Sequence, residues 1–475
     1  MNNTKIDIVL ATPPYSLSDN FGILDFAGQY GPPINLLYLA SCLENSNYSA
    51  KIADLSYDTS GLEKCARRIV SLNPEFVGVA VHFTFLANKS LELISLIKKL
   101  NPEIKIIAGG VHFTALPEET MRECPEIDVG ILGEAEETLV EVLRGLRDGG
   151  KLDGIDGIIF RNRNELHKTE KRNLIEDINK LPFPSFDKID LSSYSLALYK
   201  EKRDAHLSII TSRGCPFACC FCDRTILGRK VRFHSVEYLS EMLDLMVKQL
   251  SVNCFDLEDE NICITKDRFR DICKLLKEKH NRYDITWGCS MRADSVEADT
   301  GKILYDAGCR NVVFGIESGS QKMLDIYNKK LNIKNLPEKC KIIMDAGISL
   351  TGSFIIGGPE EDENSISATI DLIKKIDLNF MYLWYFAPYP GSAIYKDIKN
   401  SGNLLGDYSD RTGHHIAFIP NTLTRQQLED AYKRIYRAFY SKPSVMFRTI
   451  RSSGFSGIPG IFKKGIKYLQ RFILN

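Results

Sequence analysis

The chain has 475 residues, enough for two to four domains at roughly 100–200 residues each. Hydrophobic residues make up 44% and charged residues 26%, which excludes a disordered, fibrous or collagen-like chain. Lys+Arg and Asp+Glu both number 61, so no global attraction to nucleic acid is expected. No apolar run reaches the length of about 18 residues that a spanning helix needs. The opening MNNTKIDIVLATPPYS lacks a basic leader and reads as a first strand, not a signal peptide.

Residues 1–145 alternate strand and helix patterns. Buried strands are predicted at Ile6–Leu10, Ala50–Leu55, Phe76–Val81, Ile104–Ala108 and Val129–Leu132. Helical patterns lie between them, as at Ile34, Leu37, Tyr38 and Cys42. Such alternation predicts a doubly wound, Rossmann-like α/β domain with about five parallel strands. Its ligand crevice belongs at the strand C-terminal ends. The loops there hold Thr12-Pro13-Pro14, His82-Phe83-Thr84, Gly109-Gly110-Val111-His112 and Gly133-Glu134-Ala135-Glu136.

Residues 146–203 break the pattern with Gly149-Gly150, Arg161-Asn162-Arg163-Asn164 and Leu181-Pro182-Phe183-Pro184. They read as a small hairpin and an extended connector. Residues 204–400 alternate again. Strands are predicted at Leu207–Thr211, Cys254–Leu257, Ile285–Cys289, Asn311–Gly315, Leu350–Ile356 and Met381–Phe386. Helices are predicted at Val236–Leu250, Arg268–Lys279, Val296–Asp306, Leu336–Ala346 and Ser365–Ile376. Six β/α units suit a partial (β/α)6 barrel of TIM type, with its chemistry at the strand C-terminal ends. Residues 401–475 form a C-terminal region whose stretch from about 423 reads as helical. From Ser441 onward it holds seven Lys/Arg and no Asp/Glu, with Phe447, Ile450, Phe462 and Phe472 among its apolar residues. Two readings compete there: a membrane-surface helix, or a helix packed over the barrel with solvated basic residues.

Nine of the 13 cysteines are scattered and suit small core positions. The other four crowd into one octet directly after the first barrel strand: Cys215, Cys219, Cys220 and Cys222. Cys215, Cys219 and Cys222 are spaced C-x3-C-x2-C. Three thiolates on one loop can hold three irons of a cubane cluster and leave the fourth iron open. Structural zinc wants four closed ligands, commonly two separated C-x2-C pairs, and no second pair exists here.

The cysteine spacing, with Phe221 before the last thiol, resembles the radical S-adenosylmethionine (SAM) superfamily. Further segments agree in order. They are Asp256-Leu257-Glu258-Asp259-Glu260-Asn261, Gly288-Cys289-Ser290-Met291-Arg292-Ala293-Asp294, Phe314-Gly315-Ile316-Glu317-Ser318-Gly319, Gly352 to Glu360, and Pro388-Tyr389-Pro390-Gly391-Ser392. The resemblance implies a 4Fe-4S cluster on the three cysteines and SAM on the open iron. It implies that Asp259 or Glu260 holds the SAM ammonium, the choice between them being open. Ser290 and Arg292 would meet the carboxylate or ribose, and Glu317 the ribose end.

The first domain resembles the cobalamin-binding domain of cobalamin-dependent radical SAM enzymes. The resemblance rests on Pro13-Pro14, on Gly31-Pro32-Pro33-Ile34-Asn35-Leu36-Leu37-Tyr38-Leu39-Ala40, on Ala108 to Thr114 and on Gly133 to Glu136. It places Pro13, His82, Gly109, Gly110, His112 and Glu134 at the cobalamin crevice. The D-x-H-x-x-G pattern of cobalamin-dependent mutases is missing; the nearest string, Asp204-Ala205-His206, lies outside this domain. Base-off cobalamin without a histidine ligand is therefore expected, with His82 and His112 as contacts only.

The implied activity is methyl transfer to an unactivated carbon. One SAM recharges cob(I)alamin to methylcobalamin, and a second yields the 5′-deoxyadenosyl radical that abstracts substrate hydrogen. The alternative with the same cofactors is cyclisation, ring contraction or carbon–carbon bond formation without methyl transfer, on a lipid or isoprenoid substrate among others. A carrier module without turnover is a third reading. A tRNA methylthiotransferase would need a second cysteine cluster in the first domain, where Cys42, Cys65 and Cys124 are dispersed. The expected partners are a small-molecule or lipid substrate and a reductase, flavodoxin or ferredoxin-type electron donor, without nucleic acid. The expected location is cytoplasmic, with membrane association through the basic C-terminus as a further expectation. No catalytic acid or base is identified.

Overall fold

A computed structural model describes residues 6–21, 30–149, 152–162, 165–194, 206–445 and 448. The basic, apolar segment beyond Val445 therefore lies almost wholly outside the described residues. Among the described residues no helix is long and apolar enough to cross a membrane.

The first sheet contains β1 (Ile8–Thr12), β2 (Ala50–Asp54), β3 (Phe76–Ala80), β4 (Lys105–Gly109), β5 (Val129–Ile131), β6 (Ile158–Asn162) and β7 (Glu165–Lys168). Their order is β2-β1-β3-β4-β5-β6-β7. The first five are parallel, while β6 and β7 join antiparallel. The hairpin expected in a separate connector is thus the edge of this sheet. It pairs with the outer side of β5, covering an edge that three residues would otherwise leave open.

Every residue of β3 is buried, as befits a central parallel strand covered on both faces. One apolar cluster gathers the helices at Leu62–Ser71 and Ala87–Leu100 on one face. Another gathers those at Ile34–Asn45 and Glu136–Arg147 on the opposite face. The chain reverses its direction of sheet growth between β1 and β3, and a doubly wound sheet opens its crevice at that point.

The second sheet is wholly parallel. Its strands are β8 (His206–Ile209), β11 (Cys254–Leu257), β12 (Thr286–Met291), β13 (Cys309–Glu317), β14 (Ser349–Ile356) and β15 (Phe380–Tyr385), laid side by side in chain order. Between β8 and β11 a two-residue ribbon pairs β9 (Ser212–Arg213) with β10 (Arg232–Phe233). Helices Val236–Leu250, Lys266–Tyr283, Thr300–Asp306, Leu336–Asp345 and Glu363–Lys375 follow in alternation. The Ser235 hydroxyl caps the first of them by accepting from Tyr238 N–H. A last helix, Arg425–Tyr440, packs against Glu363–Lys375 and β15. Thr424 and Gln427 begin it with a reciprocal capping box.

A buried ion network joins the two sheets. Arg213 Nη1 donates to Glu134 Oε1 at 2.8 Å, and Arg213 Nη2 lies 2.6 Å from Glu136 Oε1. Arg232 Nη1 donates to Glu134 Oε2 at 2.6 Å. All four side chains are at most 8% exposed. The Ile175 N–H adds a third donor to Glu134 at 2.9 Å. Burial raises the Glu134 pKa, but the Arg232 and Arg213 guanidiniums outweigh it and hold the carboxyl below its ordinary range. Its contribution to stability is therefore present above the unfolded-state pKa and fades as pH falls through the lower folded value. Glu134→Gln is expected to destabilise the fold by about 3–5 kcal/mol, the cost of breaking a buried pair from one side. Denaturant unfolding at neutral pH checks this, and a loss below about 1 kcal/mol would contradict it.

Candidate active site between the two sheets

The cysteine loop leaves the β9 strand and is braced from behind. Cys220 N–H donates to Tyr327 O at 3.0 Å, and Asn328 Nδ2 donates to Ala218 O at 2.9 Å. Phe217 lies under the Arg292 guanidinium, 3.9 Å from its carbon to the ring centre. Beyond the loop, Asp223 forms an antiparallel bridge with Ser392, in the turn after β15. Segments about 100 and 170 residues downstream thus shape the loop.

Within the loop the four thiols divide. Burial, with the neighbouring Cys219 and Cys215 sulfurs, pushes the Cys222 thiol up to about 12. Burial and the Cys219 sulfur raise the Cys220 thiol too, so charge alone does not separate the four. Cys220 turns away: its thiol lies 3.5 Å from Ile326 O and packs beside Met323, Tyr327 and Phe386. Among the described residues no three metal-binding side chains sit close enough to share one ion, the arrangement a structural zinc needs. Three thiols on one contiguous loop are, by donor chemistry, the set that suits three irons of a cubane.

The acidic pair also divides. Asp259 is 4% exposed and accepts from Thr211 N, Thr211 Oγ1, Ser212 N and Ser212 Oγ at 2.5–3.2 Å. Burial raises its pKa even against those four donors. It is occupied in holding the β8–β9 corner. Glu260 and Ser290 are open, at the ends of β11 and β12. Arg292 is buried, donating through Nε and Nη2 to Asp294 at 3.0 and 2.6 Å and through Nη2 to Lys329 O at 2.6 Å. No acceptor among the described residues takes its Nη1.

Glu317 stands at φ +68°, a conformation uncommon outside glycine, where the pairing of β13 with β14 shifts register. Its Oε1 accepts from Lys329 Nζ at 2.8 Å in a buried pair. A Cβ on Gly315 would lie 2.6 Å from that oxygen and 2.9 Å from the ammonium, so a side chain there would displace the pair. Burial pulls the Lys329 pKa down, but Glu317 more than reverses this and keeps the side chain charged. Sequence reasoning missed Lys329 and its neighbours Tyr327 and Asn328. Nothing in the local sequence marks them as the backing of the cysteine loop.

The first sheet contributes a cavity of about 700 Å³ above the β1–β3 switch. Pro13, Gly31, Pro32, Pro33, Gly109, Gly110, Gly133 and His82 line one side. Ser208, Ile210, Arg213, Ile226, Leu227 and Glu258 line the side toward the second sheet. A floor with several glycines and prolines, and few charges, suits a broad ring system approaching the backbone closely.

Comparison with known proteins matches this division. Residues 22–143 fit the B12 binding domain, and residues 209–373 fit the radical SAM superfamily. An uncharacterised methyltransferase of Pyrococcus horikoshii is 30% identical over 467 residues, covering 98% of both chains. The chain belongs to the cobalamin-dependent radical SAM enzymes. This enzyme is also 25% identical, over 94% of its length and 72% of the other, to an anaerobic magnesium-protoporphyrin IX monomethyl ester cyclase of Cereibacter sphaeroides. Its fold matches the radical SAM methyltransferase TsrM of Kitasatospora setae, solved with cobalamin and a [4Fe-4S] cluster. The TM-score is 0.69 at 15% identity, covering 92% of this chain and 90% of that one. The cofactors of the enzyme are accordingly cobalamin, SAM and a 4Fe-4S cluster.

The residues singled out in the sequence have separate fates within this enzyme. Pro13, His82, Gly109, Gly110 and Glu134 line the cavity, although both Glu134 oxygens are engaged by the ion network. His112 does not line it. The imidazole is 1% exposed, pairs through Nδ1 with Thr84 Oγ1 at 3.3 Å and packs edge-on against Tyr408. Burial and the Arg411 charge push its pKa down to about 4. Cys215→Ala, Cys219→Ala or Cys222→Ala is expected to abolish cluster retention, while Cys220→Ala keeps about four irons per chain. Iron and sulfide counts after anaerobic reconstitution check this. Loss of iron in Cys220→Ala alone would reverse the assignment.

Proposed function

We propose that this enzyme transfers a methyl group from SAM to an unactivated carbon of a small molecule. The observation that carries the reading is the placement of one cavity between the crevice of the first sheet and the barrel residues beside the cysteine loop. A relative 30% identical across the whole chain, itself named a methyltransferase, supports the same reaction class. When bound, the three groups supply the methyl donor and the 5′-deoxyadenosyl radical.

The residues position and enclose. Cys215, Cys219 and Cys222 hold the cluster. Glu260 is the carboxylate left to accept from the SAM ammonium, because Asp259 is saturated by Thr211 and Ser212. Ser290 and the Arg292 Nη1 would meet the carboxylate or ribose of SAM. The Glu317–Lys329 pair fixes the charge at the end of β13, where it would meet the ribose side of SAM. Pro13, His82, Gly109 and Gly110 hold the corrinoid. A flavodoxin- or ferredoxin-type donor supplies the electron, and membrane contact through the basic C-terminal segment belongs to the same proposal.

The cyclase relative favours a second reading, radical ring formation without methyl transfer. Anaerobic incubation with methyl-labelled SAM and a reductant separates the two. Methyl transfer requires S-adenosylhomocysteine formation that depends on cobalamin; 5′-deoxyadenosine alone, at full cobalamin loading, would favour the cyclase reading. Within the acidic pair, Glu260→Gln is expected to weaken SAM binding by about 10–100-fold, the worth of one hydrogen bond to a charged group, at unchanged melting temperature. Asp259→Asn is expected to lower the melting temperature instead. Equilibrium SAM binding and thermal unfolding on the reconstituted enzyme check both.

A further inference from the structure

The inner face of the barrel sheet changes character from its first strand to its last. Successive side chains of a strand point to opposite faces. Leu207 and Ile209, Phe255 and Leu257, and Met381 and Leu383 go to the helical side and join the large apolar core. The residues between them face the space the sheet encloses. On β8, β11 and β12 these include Ser208, Asp256, Glu258 and Ser290, all polar. On β15 they are Phe380, Tyr382 and Trp384, all half-buried. Aromatic surface on this face is thus confined to the last strand.

Trp384 is the ring of this group that is held most fully. Its Nε1 donates to Ser353 Oγ at 3.2 Å, across the pairing of β15 with β14. Gly413 lies against its six-membered ring, where a Cβ would come within 3.0 Å of Cε3. The backbone fixes that approach, since Tyr385 N–H donates to Gly413 O at 2.7 Å. Tyr382 and His414 flank the indole with ring centres at 5.7 and 4.8 Å. The chain has two tryptophans, and the other shows where an indole goes when its role is packing. Trp287 is 1% exposed and donates to Ala307 O at 2.7 Å within the helical core. Trp384 is placed instead on the open side. Its strand runs directly into the turn whose Ser392 bridges Asp223, the residue after Cys222.

An indole fixed in one orientation has given up its rotamer freedom, yet this one leaves part of its apolar surface uncovered. A flat conjugated ring laid on it would cover that surface and add the ring–ring attraction that a saturated ring lacks. We propose that Trp384, with Tyr382 beside it, is the platform on which the substrate stacks, and that the substrate carries a flat conjugated ring. The inference rests on the proposed transfer to a small molecule and narrows the class of that molecule. Trp384 acts by positioning; no bond is made or broken at the indole.

The test is equilibrium dialysis of the full chain, loaded with cluster and cobalamin and with iron and cobalt counted. The probes are 2-naphthalenemethanol and its fully saturated decalin counterpart. They share one carbon skeleton and differ in flatness, and both are uncharged because Asp256 and Glu258 share the face. The flat probe should bind the native chain about 2–10-fold more tightly. Trp384→Leu should abolish that preference, and Trp384→Phe should retain part of it. Equal binding of the two probes, binding of neither, or a preference that survives in Trp384→Leu would overturn the proposal. The comparison on the native chain needs no variant, so it decides the matter even where Trp384→Leu fails to fold. Failure of the loaded chain to consume SAM under a reductant would overturn the reaction itself, whereas a chain that consumes SAM but does not discriminate overturns only this inference.

Discussion

The structure depends on two buried arginines of the second sheet and two buried glutamates of the first. Arg213 and Arg232 face each other in register on the short β9–β10 ribbon, so their guanidiniums leave the barrel side by side. Glu134 and Glu136 receive them from the loop that also lines the corrinoid crevice. Four charges in a water-poor interface tolerate little displacement, because separation would leave each one desolvated and unpaired. Arg213 is two residues before Cys215. One wall of the crevice and the root of the cysteine loop are thus parts of the same rigid joint. Radical chemistry needs its reactants aligned closely, and this joint fixes one cofactor site relative to the other.

Much of this was legible in sequence, for reasons that differ by element. Cys254–Leu257 and Val236–Leu250 fold within the limits their apolar periodicity marks, since each contains its own burial pattern. The C-x3-C-x2-C spacing stood out as a candidate because its thiols sit on one contiguous loop. The choice between Asp259 and Glu260 was not. Adjacent carboxylates look alike until Thr211 and Ser212, about 48 residues earlier, turn four donors onto one of them. Glu134 illustrates the opposite hazard. Its loop does line the cavity, yet its carboxylate is consumed by a pairing across 79 and 98 residues. Lys329 had no local signature at all. It acquires meaning through Glu317, through the missing side chain of Gly315 and through its carbonyl's bond to Arg292.

The barrel side of the site relies on backbone as much as on side chains. Carbonyls of Ile326, Tyr327 and Lys329 receive Cys220 Sγ, Cys220 N–H and the Arg292 guanidinium in turn. These acceptors belong to a turn with Asn328 and Lys330 at positive φ, which aims consecutive carbonyls at a loop from another part of the chain. On the turn's own side the brace uses main-chain carbonyls, except where the Asn328 side chain reaches Ala218.

That long-range bracing has a consequence for the order of biosynthesis. The cysteines at 215–222 emerge from a ribosome well before Tyr327, and about 170 residues before Ser392 completes the bridge to Asp223. At about 5–20 residues per second the interval is roughly ten to thirty seconds. During it the four thiols belong to a loop whose final shape does not exist, and Cys220 has no carbonyl to turn toward. The turn of Cys220 away from its neighbours exists only once Ile326 and Tyr327 are in place. The separation of Cys220 from its three neighbours is therefore a property of the finished barrel.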